Sequence, residues 1–219
     1  MQLLHGADLG YGGTTVLQGV RLSVDPGERV ALLGRSGSGK STLIAALHQA
    51  MLARSLRVAL VPQDTALVPQ LSALRNVLMG QLDNHGPWRN LRTLIRPSRA
   101  DRTAALADLA RVGLEEEGGR AVEALSGGQK QRVALARALH RGGDVILGDE
   151  PLSAVDPHHA EALATAIRKA FPTAVLALHD VATARAFATR VIGLKGGTFL
   201  FDLSAERLEA RHIEALYAR

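Results

Sequence analysis

Hydrophobic and polar positions change rhythm twice along the chain. In residues 15–33, Val16, Val20, Leu22 and Val24 stand at near-even spacing among polar neighbours, which is the pattern of half-buried strands. Asp25-Pro26-Gly27 reads as a turn. Arg29-Val30-Ala31-Leu32-Leu33 is then a short apolar run, as in a strand buried on both faces. Gly34 closes it. From Ser41 to Leu52 the period becomes helical, with Leu43, Ile44, Leu47 and Met51 on one stripe. Val58 to Val61 is another short buried strand, closed by Pro62.

From Asp64 to about Arg141 strand runs disappear and helical periodicity takes over. Leu106, Leu109, Ala110 and Val112 fit a helix opened near Asp101. Val133, Ala134, Ala136, Arg137 and Leu139 fit a second helix. Between Pro87 and Pro97 the basic stretch PWRNLRTLIRP reads as irregular. Strands return at Val145–Leu147, Ala174–Leu178 and Val191–Leu194, with helices around 158–170 and 181–189. Strand–helix–strand alternation predicts an α/β fold, a parallel sheet with right-handed crossovers. The helical middle reads as an inserted lobe. No internal repeat, linker or low-complexity tract interrupts it.

Composition narrows the classes. A chain of 219 residues allows one domain, or one domain with a lobe. With 47% hydrophobic and 21% charged residues it can bury a core, which excludes disorder. The absence of Cys excludes a disulfide scaffold and Cys-ligated zinc or iron–sulfur sites. No apolar run reaches the roughly 18 residues of a membrane span. The first residues, with His5 and Asp8 and no basic region, do not read as a secretory signal. The expected compartment is a cytosol, with membrane association only through a partner or a surface. Net charge is +5, and only four of the 26 basic residues are lysines. That balance suits nucleic acid, anionic lipid or nucleotide phosphate, and equally a merely solvated surface. Aromatic residues at 3% argue against base-stacking platforms.

The candidate chemistry begins at Gly34-Arg-Ser-Gly-Ser-Gly39-Lys40-Ser41, which matches G-x-x-x-x-G-K-[ST] between a buried strand and a helix. Glycines let successive backbone N–H groups turn toward phosphate oxygens, and the helix N-terminus adds positive potential. Lys40 offers a point charge to the β- and γ-phosphates, and the Ser41 hydroxyl can ligate Mg²⁺. Val145-Ile-Leu-Gly-Asp149-Glu150 is an apolar strand ending in two acids. Beside a phosphate loop, the first acid suits Mg²⁺ and the second an attacking water, as general base or water-positioner. Alone, such a pair reads equally as a helix cap or solvated loop. Gly148 is unusual there, because glycine weakens a strand yet permits close packing.

With Leu125-Ser126-Gly127-Gly128-Gln129 added, the chain resembles the ATP-binding cassette ATPases, the motor subunits of ABC transporters. The resemblance covers nearly the whole chain, with the parts in the family's order. It implies a P-loop NTPase with a mostly parallel sheet flanked by helices, an N-terminal antiparallel β subdomain and an inserted α-helical subdomain. The whole of 1–219 is then one ATPase domain, with its core in 1–63 and 142–219 and the helical subdomain in about 64–141.

The resemblance also implies roles. Tyr11 is similar to the aromatic residue that stacks on adenine. Gly34, Ser36, Gly37, Gly39, Lys40, Ser41 and Thr42 fall in the Walker A loop that binds ATP. Gln63 matches the Q-loop glutamine, near both nucleotide and Mg²⁺. Ser126, Gly127, Gly128 and Gln129 resemble the signature motif, which covers the γ-phosphate of ATP held by a second copy. Asp149 matches the Mg²⁺-binding Walker B acid, with Ser41 and Gln63 as further metal contacts. Glu150 matches the catalytic glutamate, Asp156 lies in the D-loop and His179 matches the switch histidine. Glu150, His179 and Lys40 are the expected catalytic set. Read without the family, Ser126-Gly-Gly is a helix cap, a lone His after a strand is structural, and a Tyr in a Gly-rich turn is packing.

One cassette in 219 residues leaves no room for a fused permease, a second cassette or long coiled coils. The expected role is a stand-alone transporter subunit, a homodimer with ATP sandwiched, peripheral on the cytoplasmic face of the cell membrane. Its expected partners are permease subunits and a solute-binding protein, with no nucleic acid. Asn76-Val-Leu-Met-Gly80 and the Trp88-Arg89 insert are similar to the phosphonate-import ATPases. The alternatives are an importer or exporter ATPase for another solute, a non-transport cassette ATPase acting on nucleic acid, and a non-catalytic nucleotide-binding regulator. Intact Lys40, Glu150 and His179 argue against the last.

Overall fold

The computed structural model describes residues 1–153 and 157–218, with only the backbone described at Pro157 and His158. The chain divides into two compact units.

The first unit comprises Met1–Gln63, Gly143–Ser153 and Phe171–Arg219. Strands β1 (Gln2–Tyr11) and β2 (Thr14–Ser23) form an antiparallel ribbon. The other strands are β3 (Arg29–Leu33), β4 (Val58–Val61), β5 (Val145–Asp149), β6 (Thr173–Ala177), β7 (Arg190–Lys195) and β8 (Thr198–Ser204). They form one sheet in the order β4-β5-β6-β3-β7-β8. Its pairs are parallel except β7–β8. Helix α1 (Lys40–Leu52) lies against the ribbon and against β4, β5 and β6.

The expected helical stripe explains that placement. Leu43, Leu47 and Met51 of α1 pack with Leu17, Val20 and Leu22 of β2 and with Val30, Leu32, Val145, Leu147 and Val175 of the sheet. A ribbon alone would be marginal, and the shared core makes it stable. The remaining helices of this unit are α7 (Val181–Phe187) and α8 (Ala210–Tyr217).

Strand β1 escaped the sequence reading for a physical reason. Its pairing with β2 carries register shifts between Gln2 and Leu4, His5 and Ala7, Ala7 and Leu9, and Leu9 and Gly10. Each shift resets which face a residue meets, so adjacent Leu3 and Leu4 are both buried and alternation disappears. The helix expected over 181–189 ends at Phe187, because Ala188 is already extended (φ −88°, ψ 151°).

The second unit comprises Asp64–Gly142 and Ala154–Ala170. Its helices are α2 (Ala73–Leu78), α3 (Pro87–Ile95), α4 (Arg99–Arg111), α5 (Gly127–Arg141) and α6 (Pro157–Ala170). Helices α2, α4 and α5 pack together, burying Val77, Ala105, Leu109, Val133 and Ala136. The helix expected to open near Asp101 is α4, capped by Ser98, whose side chain and Asp101 bond each other's backbone N–H.

The stretch 87–97 is a correction. It holds a helix, α3, with Pro87 in its first turn. None of its residues is fully buried, so it lacks the core-facing stripe by which helices are recognised.

Two local devices stiffen this unit. Asn76 is fully buried. Its Oδ1 accepts from Val68 N–H at 2.8 Å and its Nδ2 donates to the Val68 and Ser72 carbonyls, both at 3.1 Å. The Asn-Val-Leu-Met-Gly element thus opens on a residue that satisfies the backbone of the preceding loop. The Arg137 guanidinium of α5 donates to the Ala66 and Thr65 carbonyls at 2.7 and 2.8 Å.

Candidate nucleotide-binding and hydrolytic site

The first unit gathers its chemistry at the C-terminal ends of β3, β5 and β6, where ligands bind in open parallel sheets. Register sets the geometry. Ala177 pairs with Leu32 on one side and with Asp149 on the other. Glu150 lies one residue beyond this row, and Gly34 and His179 lie two residues beyond it.

Residues 34–39 join β3 to α1. Gly39 is the N-cap of α1, with φ 98°, a left-handed value that disfavours side chains. A Cβ there would lie 2.7 Å from Leu17 Cδ2, so glycine also lets the loop sit on the ribbon. Lys40 then turns back across the loop. Its Nζ donates to the Gly34 carbonyl at 2.9 Å and to the Arg35 carbonyl at 3.2 Å. Lys40 is 5% exposed. Burial pushes its ammonium below the ordinary lysine range, while the Glu150 and Asp149 carboxylates hold it up. The amine so placed lies within electrostatic reach of two acids.

The loop fits a phosphate-bearing ligand. No side chain caps α1, so its first-turn N–H groups remain available as donors. Ser38 Oγ is buried without a hydrogen-bond partner, a polar atom that a bound anion would satisfy. Ser36, Gly37 and Ser41 are exposed and Thr42 is buried.

Asp149 is buried at the end of β5. Glu150 follows with φ 57°, a left-handed conformation unusual for a non-glycine residue and found preferentially at functional positions. Its N–H donates to the Ala177 carbonyl at 3.1 Å. Its carboxylate Oε1 meets His179 Nε2. Gly148 explains itself here: a Cβ would lie 2.8 Å from both Leu176 Cδ2 and Pro151 Cγ. The Asp149 carboxylate and the Ser41 hydroxyl supply hard oxygen donors of the kind Mg²⁺ takes, and Mg²⁺ needs only one or two protein ligands beside substrate phosphates. Among the described residues no group of three or more His, Cys, Asp or Glu residues could hold a metal unaided.

The other expected residues are dispersed. Tyr11 ends β1 opposite Thr14 and is 60% exposed. Gln63 is exposed, one residue past Pro62 beyond β4. Ser126, Gly127, Gly128 and Gln129 lie in the second unit, at the start of α5. There Ser126 and Gln129 form a capping box, with Ser126 N–H donating to Gln129 Oε1 at 2.9 Å. Asp156 lies outside the described residues.

Sequence reasoning missed the support behind the loop. Lys195, at the end of β7, donates to the Ala215 and Ala218 carbonyls of the C-terminal segment at 2.6 and 3.1 Å. This ties α8 to the end of β7; burial pushes the Tyr217 hydroxyl of that helix up, and the Gly34 backbone opposes the shift. Asp180, next to His179, caps α7 by accepting from Thr183 N–H and Oγ1, both at 2.6 Å. A short helix with few buried residues gave no signal for the first, and the cap was legible only once α7 was placed.

Comparison with known proteins accounts for this arrangement. Residues 17–153 match the family model described as ABC transporter. The chain is 37% identical to a phosphonates import ATP-binding protein of Cupriavidus metallidurans, over 99% of this chain and 86% of that one. It is 36% identical to a phosphite import ATP-binding protein of Stutzerimonas stutzeri, over 94% and 83% respectively. Among solved structures it is similar to a dimeric bacterial ABC transporter cassette, with TM-score 0.79, 27% identity and coverage of 93% and 98%. It is also similar to a dimeric cassette in a post-hydrolysis state bound to ADP and Pi, with TM-score 0.76, 28% identity and the same coverage. With the strand–loop–helix, the paired acids and the capped Ser126 helix in the order of that family, the chain belongs to the ABC transporter family.

Proposed function

We propose that this chain is the ATP-hydrolysing subunit of an importer for phosphonate, phosphite or a related oxyanion. The observation that carries the catalytic part is Lys40, a buried ammonium braced on the Gly34 and Arg35 carbonyls and within electrostatic reach of Asp149 and Glu150. The solute class is supported by the relatives' names, which describe phosphonate and phosphite import.

In this reading the 34–39 loop and the first turn of α1 bind the β- and γ-phosphates of ATP, and Lys40 supplies the compensating charge. Ser41 and Asp149, with Gln63, would hold Mg²⁺, which would supply charge neutralisation at the phosphates. Glu150 accepts or orients the proton of the attacking water. His179 Nε2 positions the Glu150 carboxylate, and contact with the γ-phosphate requires it to exchange that bond. Tyr11 stacks on adenine. Ser126 to Gln129 and Asp156 act on nucleotide held by a second copy, so the working unit is a homodimer like the dimeric cassettes it resembles.

No described helix is long and apolar enough to cross a membrane. In this reading permease subunits carry the transport path, with the cassettes on the cytoplasmic face and a solute-binding protein delivering the oxyanion. The test is capture of tagged Glu150→Gln protein from detergent-solubilised native membranes with ATP and Mg²⁺. A co-purifying polytopic permease whose ATPase rises with phosphonate or phosphite supports the reading. A nucleic-acid-processing partner, or a permease indifferent to both oxyanions, overturns it.

A further inference from the structure

Helix α3 carries an apolar face that its own unit leaves uncovered. Trp88, Leu91 and Ile95 fall on one side over successive turns and are 84%, 51% and 65% exposed. The opposite side holds the helix in place: Asn90 Nδ2 donates to the Leu82 and His85 carbonyls at 2.7 and 3.0 Å, and Thr93 and Leu94 are half-buried. Arg89, Arg92 and Arg96 lie on the flank between the two sides, all exposed. Arg99 and Arg102, at the start of α4, are exposed as well. Asp101 is the one acid in residues 87–102, and its carboxylate is engaged in capping α4, accepting from the Ser98 hydroxyl at 2.8 Å.

We infer that α3 is an interfacial helix that seats Trp88, Leu91 and Ile95 in the headgroup layer of a membrane containing anionic phospholipid. Charge complementarity selects this occupant. The rim is of one sign, so the partner surface must be densely negative and tolerant of several arginines at once. Apolar side chains on one face with arginines beside them are the arrangement by which helices lie in the plane of a bilayer surface. Tryptophan favours that layer because its ring is apolar and its N–H finds a partner there. Three apolar side chains on nine residues give only weak attachment alone, whereas each arginine near an anionic surface adds roughly fivefold to partitioning. The inference rests on the reading that this cassette works beside a membrane, and it adds a direct lipid contact made by the cassette itself.

Trp88 is the chain's single tryptophan, so its fluorescence reports on this helix alone. The full chain is titrated with vesicles of phosphatidylcholine containing phosphatidylglycerol and, separately, with phosphatidylcholine alone. The expected result is a blue shift with the anionic vesicles only, reversed by raising salt. A variant with Arg89→Gln, Arg92→Gln and Arg96→Gln should partition on the order of a hundredfold more weakly. Its ATPase rate should stay unchanged, which also shows that it is folded. Should that variant fail to fold, the salt titration of the parent protein carries the test. An emission unchanged by anionic vesicles, or equal binding to both vesicle types, overturns the inference. So does shielding of Trp88 only by a co-purified permease in detergent, which would assign the face to a protein partner. Neither permease nor turnover enters the vesicle experiment, so it can fail while the transport reading stands, and the reverse.

Discussion

The Glu150 carboxylate and the His179 ring meet across the ends of neighbouring strands, Oε1 to Nε2. Pairing of Asp149 with Ala177 puts Glu150 one residue and His179 two residues beyond the paired row, and the left-handed backbone at Glu150 takes the chain out of the strand there. The residue we propose to act on water is thus held by a partner that follows a different strand.

His179→Ala should leave Glu150 without that positioning contact. Turnover is expected to fall about a hundredfold, a usual loss for a disturbed proton-transfer group, while ATP affinity changes much less. Parallel kcat and ATP-binding measurements check this. A large loss of affinity with preserved kcat would show that His179 serves binding alone.

Lys40→Met keeps the hydrophobic stem and removes both carbonyl contacts and the charge. Hydrogen bonds to charged groups are worth about 1.5–3 kcal/mol, so ATP affinity should fall roughly ten- to a hundredfold. Equilibrium binding of a fluorescent ATP analogue reads it. Unaltered affinity would remove Lys40 from the phosphate site.

Gly148→Ala should destabilise the protein by about 1–3 kcal/mol through overpacking, because a Cβ there lies 2.8 Å from Leu176 and Pro151 atoms. Denaturant unfolding measures it. Since Gly148 immediately precedes Asp149, turnover should fall as well.

Asp180→Ala should cost about 1 kcal/mol by removing the α7 cap. The Thr183 hydroxyl and N–H hold the Asp180 carboxyl below its ordinary range. A depressed native value means that the stabilisation is present above the unfolded pKa of about 3.9 and is lost as pH falls through the native value. The difference in Tm between parent and variant should therefore be full at neutral pH and shrink in acid. A difference independent of pH would contradict the cap assignment.

Much of this site was legible because the residues that make it are local in sequence. The 34–41 motif needs only a strand before it and a helix after it, and the apolar runs at 29–33 and 41–52 supplied both. Asp149 and Glu150 were readable as the end of a buried strand. What the sequence withheld depends on tertiary pairing. The contact between Glu150 and His179 follows from β5 lying beside β6, a matter of strand order. Strand β1 was hidden by its register shifts, and α3 by facing solvent with its apolar side. Lys195 gave no motif, since its part lies in holding the C-terminal segment to the end of β7.

The most direct test of the account is a side-by-side measurement of ATP binding, Mg²⁺-dependent turnover and oligomeric state for the parent and for Glu150→Gln. Glutamine preserves the size of the side chain and removes the base. The account predicts retained ATP binding, turnover reduced by about 10²–10⁴-fold and an ATP-stabilised dimer. Turnover at the parent rate would contradict it and send the search for the base elsewhere.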